Sequence, residues 1–194
     1  MNNTAENNSK NSNDINENSK SLRKLSVVVS VYNEEKALRE FYKETNKILE
    51  QIKKSGWEHE LIFVNDGSAD NSLSILEELA KEDHDVKLIS FSRNFGHEAA
   101  MIAGIDHSTG DGIICMDADL QHPPECIPKI IEKFDAGYEV INMVRTKNES
   151  AGLIKNITSS GFYWLINHIS DVHFEPNASD FFAISRHVAQ VLKN

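Results

Sequence analysis

Asp117 and Asp119 are separated by a single residue and follow directly on the apolar run Gly112 to Met116. Two carboxylates so spaced at the end of a buried strand can flank one divalent cation, and their hard oxygens suit Mg2+ or Mn2+. A cation held there can bridge a diphosphate and neutralise it as it leaves. Gln121 and His122 come next, ahead of Pro123 and Pro124. His122 reads either as a further ligand or as a plain loop histidine. A second polar cluster, Asn65-Asp66-Gly67-Ser68-Ala69-Asp70, closes the run Glu60 to Val64. Gly67 permits a sharp turn, and Ser68 or Asp70 can cap the helix that follows. Asp66 either belongs to that turn or accepts hydrogen bonds from a nucleobase or ribose, and residue chemistry alone leaves both readings open.

The elements that must position these groups are legible from periodicity. Short runs rich in β-branched residues occur at Leu25 to Val31, Glu60 to Val64, Val86 to Phe91, Gly112 to Met116 and Glu139 to Val144. Between them, helical spacing predicts helices over Glu35 to Lys54, Asn71 to Glu82, His97 to His107 and Glu125 to Ala136. In the first, Ala37, Leu38, Phe41, Tyr42, Thr45, Ile48, Leu49 and Ile52 keep helical spacing. Strand–helix alternation predicts an α/β fold with a mostly parallel sheet and helices on both faces. Ligands of such sheets bind outside the carboxyl ends of the strands. The residues at those ends are Tyr32-Asn33-Glu34, Asn65-Asp66-Gly67-Ser68, Ser92-Arg93-Asn94 and Asp117-Ala118-Asp119. After Val144 the pattern predicts a loop from Arg145 to Gly152, an amphipathic helix from Leu153 to Ile169, a short strand at Phe181 to Ile184 and a last helix beginning near Arg186.

Bulk properties narrow the function classes. The 194-residue chain is long enough for one domain with a real core. Residues 1–23 read as a disordered Asn/Ser-rich tail, because so polar a segment cannot offset its ordering entropy, and residues 24–194 read as the domain. The tail lacks the apolar centre of a signal peptide. No run of about 18 apolar residues predicts a transmembrane helix. A net charge of −10 argues against nucleic-acid partners and against binding to anionic lipid through a basic patch. The two cysteines, Cys115 and Cys126, form neither a metal-ligand pair nor a disulfide framework, and Cys115 reads as core. Reduced thiols fit a cytoplasmic location. Neither Gly-x-Gly-x-x-Gly nor a P-loop motif is present, which excludes the usual dinucleotide enzymes and P-loop NTPases.

The segments together resemble a known family. Ser26 to Glu35 looks like the opening strand and loop of family 2 glycosyltransferases of GT-A fold, and Asn65 to Asp70 resembles their Asp-Asp-Gly-Ser-x-Asp motif. Ser92-Arg93-Asn94-Phe95-Gly96-His97-Glu98-Ala99-Ala100 and Asp117 to Glu125 resemble the polyprenyl-phosphate sugar transferases, the group of dolichol-phosphate mannose synthase and bactoprenol glucosyltransferases. Ala178-Ser179-Asp180-Phe181 is similar to a later motif of that group. The resemblance runs from about Leu25 to Leu192 in unbroken order.

It implies metal-assisted, inverting transfer of a sugar from a UDP- or GDP-sugar to a polyprenyl phosphate of undecaprenyl or dolichyl type. It places Tyr32, Asn33, Glu34, Asp66, Arg93, Asn94, Asp117 and Arg145 around the donor. It places Asp117, Asp119 and Gln121 on an Mg2+ or Mn2+ ion, and Asp119 and Asp180 at the catalytic centre. Three departures stand against the family pattern. Asn65 replaces the first acid of the turn motif, Phe182 stands where a basic residue is usual, and the chain stops before the membrane-surface helices that usually follow. The expectation is a C-terminally incomplete domain, cytoplasmic and peripheral at the inner face of the membrane, with a membrane-embedded partner chain supplying the rest. The alternative is a non-catalytic remnant or partner subunit. A haloacid-dehalogenase-like phosphatase is disfavoured, because it needs Thr or Val where Gln121 stands and carries its Asp-x-Asp on the first strand.

Overall fold

Val27, Val28, Val29 and Val31 have no exposed surface, because the strand that carries them is covered on both faces and paired on both edges. This strand, β1 (Arg23–Val31), pairs in parallel with β2 (Trp57–Asn65) and with β4 (Gly112–Asp117). The structure, a computed structural model, describes residues 23–119, 122–143 and 181–193. Beyond β2 lies β3 (Val86–Ser90), also parallel. Beyond β4 lies β6 (Phe182–Ser185), antiparallel to both β4 and the edge strand β5 (Val140–Asn142). The order is β3-β2-β1-β4-β6-β5, a mostly parallel mixed sheet.

Period-two alternation along β1 divides the core. Val27, Val29 and Val31 face α1 (Leu38–Lys53), α2 (Ser72–Glu82) and α4 (Ile127–Asp135), where Leu38, Phe41, Leu49, Leu76, Ile127 and Ile130 pack. Val28 faces the other way, with Ile62, Val64, Ile113 and Cys115, against Ala100, Met101 and Ile105 of α3 (His97–His107) and Ala189 of α5 (Arg186–Leu192). The helix α3 lies close to β1 because Gly104 has no Cβ; one placed there would meet Val28 Cγ1 at 2.1 Å. Cys115 is fully buried, and burial pushes its thiol up, as a core role requires.

Where the elements differ from expectation, the reasons are local. The strand β2 begins at Trp57, not Glu60, because Trp57 and His59 are buried on one face of its first residues, with Glu58 exposed between them. The first helix starts at Leu38 rather than Glu35, since Glu34 to Ala37 form a hydrogen-bonded turn instead. Pro123 and Pro124 open a short 3-10 turn (Pro124–Cys126) before α4. The predicted strand near Phe181 exists, but it runs antiparallel and inserts between β4 and β5. The start of α5 is capped by Ser185, whose Oγ accepts from Val188 N at 3.2 Å. The predicted loop and helix between Arg145 and Ile169 lie outside the described residues.

One buried carboxylate laces the amino-terminal half of the sheet. Glu60 of β2, about 1% exposed, bonds Ser26 Oγ and Thr109 N, each at 2.6 Å, and pairs with Lys87 at 2.6 Å and Lys24 at 2.9 Å. Burial alone would push this carboxyl up; the bonds from Lys87, Ser26, Thr109 and Lys24 outweigh it and bring it down to about 2. A carboxyl depressed in the folded state stabilises above its unfolded value of about 4.5 and loses that contribution as pH falls toward 2. Glu60→Gln is therefore expected to cost about 2–3 kcal/mol at neutral pH. The gap between variant and parent should close as urea unfolding is repeated from pH 5 down to pH 2.5, and a gap independent of pH would contradict the assignment.

Candidate active site

The register aligns the carboxyl ends of the central strands. Val31 pairs with Asn65 and Ser30 with Asp117, so the loops after β1, β2 and β4 emerge side by side. Between them lies a cavity of about 260 Å³ lined by Ser30, Tyr32, Glu34, Asp66, Asn94, His97, Asp117, Ala118 and Asp119. Six of the residues expected around the donor and the cation are thus brought together: Tyr32, Glu34, Asp66, Asn94, Asp117 and Asp119. Asn33 and Arg93 flank the cavity without lining it. Gln121, Arg145 and Asp180 lie outside the described residues.

The loops after β1 and β2 are buckled to each other. Asn33, the one non-glycine residue with positive φ among those described (58°), donates its N–H to Ser68 Oγ at 3.0 Å and accepts from Ala69 N through Oδ1 at 2.8 Å. Asparagine is among the few side-chain-bearing residues that tolerate this conformation. Glu34 N donates to Ser72 Oγ and Glu35 N to Asp70 Oδ2, while Glu35 Oε2 accepts from both Asn71 nitrogens. Asp70 Oδ1 accepts from Ser72 N at 2.9 Å, and Ser68 is turned toward Asn33. The clasp leaves Tyr32 half exposed and directs Glu34 to the cavity. Asn65 is buried, bonding Ser90 Oγ through Nδ2 and Ser68 N through Oδ1. Its departure from the family acid serves the sheet: a carboxylate could not donate to Ser90. Phe182 packs into the core on the α3–α5 side.

Asp66 is 2% exposed, and both its oxygens are engaged: Oδ1 accepts from Phe95 N at 2.7 Å and Oδ2 from Gly96 N at 3.0 Å. These amides precede α3, so the positive end of that helix already faces a carboxylate and does not present the open anion nest of a Rossmann fold. Sequence reasoning gave no role to His97, yet its Nδ1 lies 3.4 Å from Asp117 Oδ1 inside the cavity. The available signal was its place as the first helical residue after Gly96, whose φ of 102° ends the loop. His122 is buried and stacked on Phe181 at 5.1 Å; its Nδ1 accepts from Asp117 N at 3.2 Å, which fixes the ring as the Nε2–H tautomer.

Four carboxylates and no lysine or arginine line the cavity among the described residues. Glu34 is held above the usual carboxylate range by burial first and then by the charges of Asp119 and Asp70. This excess of negative charge, with hard oxygen donors at its centre, fits an Mg2+ or Mn2+ ion held by Asp117 and Asp119. A different group, Glu50, His59 and Asp85, also has ligand atoms within 4.8 Å of one another. It lies at the amino-terminal end of β2, about 20 Å along the strand from the cavity, and Lys53 Nζ already sits 2.7 Å from Glu50 and 2.8 Å from Asp85. An ammonium thus supplies the positive charge there.

A family model described as Glycosyl transferase family 2 matches residues 26–190. The chain belongs to glycosyl transferase family 2. It is 44% identical over 168 residues to the glycosyltransferase YkcC of Bacillus subtilis, covering 87% of this chain and 51% of that protein. It is 45% identical over 170 residues to the bactoprenol glucosyl transferase of Shigella phage SfX, covering 88% of this chain and 55% of that one. The chain thus spans about half the length of these relatives. Among solved structures, Staphylococcus aureus TarS residues 1–349 superposes with a TM-score of 0.61 at 17% identity, over 88% of this chain and 49% of that one. The mannosyltransferase PcManGT of Pyrobaculum calidifontis, in complex with GDP-Man and Mn2+, gives 0.61 at 17%, over 89% and 47%. At such identities the likeness shows the fold, which is the GT-A fold of family 2.

The turn after β2 leaves no room for a side chain at Gly67. Its φ is +66°, and an added Cβ would lie 2.3 Å from the Arg93 carbonyl carbon. Gly67→Ala is expected to cost about 2 kcal/mol in strain and displacement. Chemical denaturation should register that loss.

Proposed function

We propose that this chain carries the donor half of a glycosyltransferase that moves a sugar from a nucleoside-diphosphate sugar to a polyprenyl phosphate, with inversion. One observation carries the reading: a cavity at the carboxyl edge of a GT-A sheet, lined by four carboxylates and no basic residue among those described. Such a cavity repels a diphosphate unless a cation intervenes. Asp117 and Asp119, with Gln121 by family resemblance, would hold Mg2+ or Mn2+. The cation would supply charge neutralisation for the departing nucleoside diphosphate. Tyr32 offers an exposed aromatic face, and Glu34 offers carboxylate oxygens that can accept hydrogen bonds from base or ribose. Asn94 adds an uncharged amide. Arg145 and Asp180 complete the set by resemblance, at a phosphate and near the reacting carbon.

The bond changes are simple. An acceptor phosphate oxygen forms a bond to the anomeric carbon from the face opposite the leaving group. The bond from that carbon to the diphosphate oxygen breaks, and the electron pair leaves with the nucleoside diphosphate. The attacking oxygen is already anionic at neutral pH, so no strong general base is needed. Positioning and charge neutralisation are then the main contributions of the site. Relatives named as bactoprenol glucosyl transferases support the lipid-phosphate acceptor. Neighbours solved with UDP, with UDP-GlcNAc and with GDP-Man support a UDP- or GDP-sugar donor. No helix among the described residues is long and apolar enough to cross a membrane. A polyprenyl acceptor therefore favours a cytoplasmic protein peripheral to the inner face, working with membrane-embedded protein from another segment or chain.

Thermal unfolding with UDP, GDP and their sugars tests the donor site. One nucleotide should stabilise the protein only with Mn2+ or Mg2+, by about 2.7 kcal/mol at a hundredfold excess over its dissociation constant. Asp119→Ala should abolish that shift and most transfer activity. A nucleotide shift that survives both chelation and Asp119→Ala would overturn the metal-bridged reading.

A further inference from the structure

The strand that delivers Asp117 to the cavity loses a neighbour before it arrives. Pairing of β4 with β6 runs from Gly112 opposite Ser185 to Cys115 opposite Phe182, so on that side the ladder stops two residues short of Asp117. There the Asp117 amide donates to His122 Nδ1 at 3.2 Å, and a side chain continues the bonding of the strand. The imidazole is itself held. It is buried and lies on the buried ring of Phe181, with centroids 5.1 Å apart and planes 28° from parallel. Phe181 is tied to the sheet through its carbonyl, which accepts from Met143 N at 3.1 Å. Pro123 follows His122 and narrows its backbone choices. Pro123 O accepts from Cys126 N at 3.1 Å, which closes the 3-10 turn behind it.

We infer that His122 is a positioning residue for the turn that carries Asp117 and Asp119: it anchors the two carboxylates and does not itself bind the cation. This rests on the glycosyltransferase reading for the cation and the nucleotide, while the anchoring is a property of the fold. Three facts separate His122 from a ligand. A neutral imidazole has one acceptor nitrogen, and the Asp117 amide takes it. The other nitrogen, Nε2, then carries the proton and has no lone pair to offer a metal. Asp117, Ala118 and Asp119 line the cavity, and His122 does not. The two carboxylates are one residue apart, so a displaced Asp117 amide moves both of them. Removing such an outer partner weakens metal binding by about 10- to 100-fold in other sites. The two functions of the ring can also be separated by substitution. Leucine keeps apolar bulk on Phe181 and removes the acceptor, whereas asparagine keeps an acceptor and removes the ring.

The experiment compares His122→Leu and His122→Asn with the parent in two measurements. The first is hydrogen exchange without metal. The Asp117 amide should exchange about tenfold faster or more in His122→Leu and near the parental rate in His122→Asn, while core amides of β1 keep their protection in both. The second is the Mn2+ concentration that gives half of the rise in unfolding temperature produced by UDP or GDP. It should increase about tenfold in His122→Leu and return toward the parental value in His122→Asn. A merely structural role would lower the unfolding temperature of both ligand-free variants and leave the Mn2+ requirement where it was, and that result would overturn the inference. So would a His122→Asn protein as impaired as His122→Leu, because the acceptor would then be irrelevant. If neither nucleotide shifts the parent, the donor-site reading fails, and exchange at Asp117 decides the anchoring by itself. If His122→Leu does not fold, the parent decides through its imidazole 15N shifts at neutral pH. They should show a bare Nδ1 and a protonated Nε2 both without and with Mg2+, and a proton on Nδ1, or its loss from Nε2 when Mg2+ is added, would overturn the inference.

Discussion

Burying parallel strands side by side in register forces their carboxyl ends to one edge of the sheet, and here that edge carries Glu34, Asp66, Asp117 and Asp119. Most other features of the site answer this concentration of charge. Asp66 is compensated from within, by two backbone amides and the start of α3. Glu34 is compensated in part by holding its proton more tightly. Asp117 and Asp119 line a cavity with no lysine or arginine among the described residues, and Asp117 has His97 beside it.

The opposite end of the same strands solves a similar problem differently. Glu60 is compensated by two lysines, two hydroxyls and an amide, and Glu50 and Asp85 share Lys53. Acidic groups at the amino-terminal half are thus paired within the protein and stabilise it. At the carboxyl-terminal edge Asp66 is held by two backbone amides and Asp117 lies against His97. The cavity lies outside the carboxyl ends of the strands, where open α/β sheets bind their ligands.

The precision of the binding end comes from loop-to-loop bonds. Asn33, Glu35, Ser68, Asp70 and Ser72 close the first two loops on each other, and Asp66 and Gly67 attach the third. His122, stacked on Phe181, fastens the fourth by accepting from the Asp117 amide. Each loop would be free to move alone. Together they form a ring of short polar contacts around the cavity, supported by buried strands that cannot shift without opening the core.

Periodicity and residue type were enough to read the α/β alternation and the gathering of acids at one edge. Those features follow from burial, which leaves a local pattern of period two or near three and a half along the chain. The same signals did not show that Asn65 is spent on Ser90, that Asp66 caps the approach to α3, or that His97 stands against Asp117. They also did not show that Phe182 begins an antiparallel strand between β4 and β5. Each of these depends on a partner roughly 20 to 70 residues away, and a polar side chain carries no local mark of which distant donor or acceptor it will meet. The sequence by itself determined which residues are buried and which chemistry reaches the edge. Only the tertiary structure decided which distant donors and acceptors those polar groups meet, because that depends on how the loops are brought together.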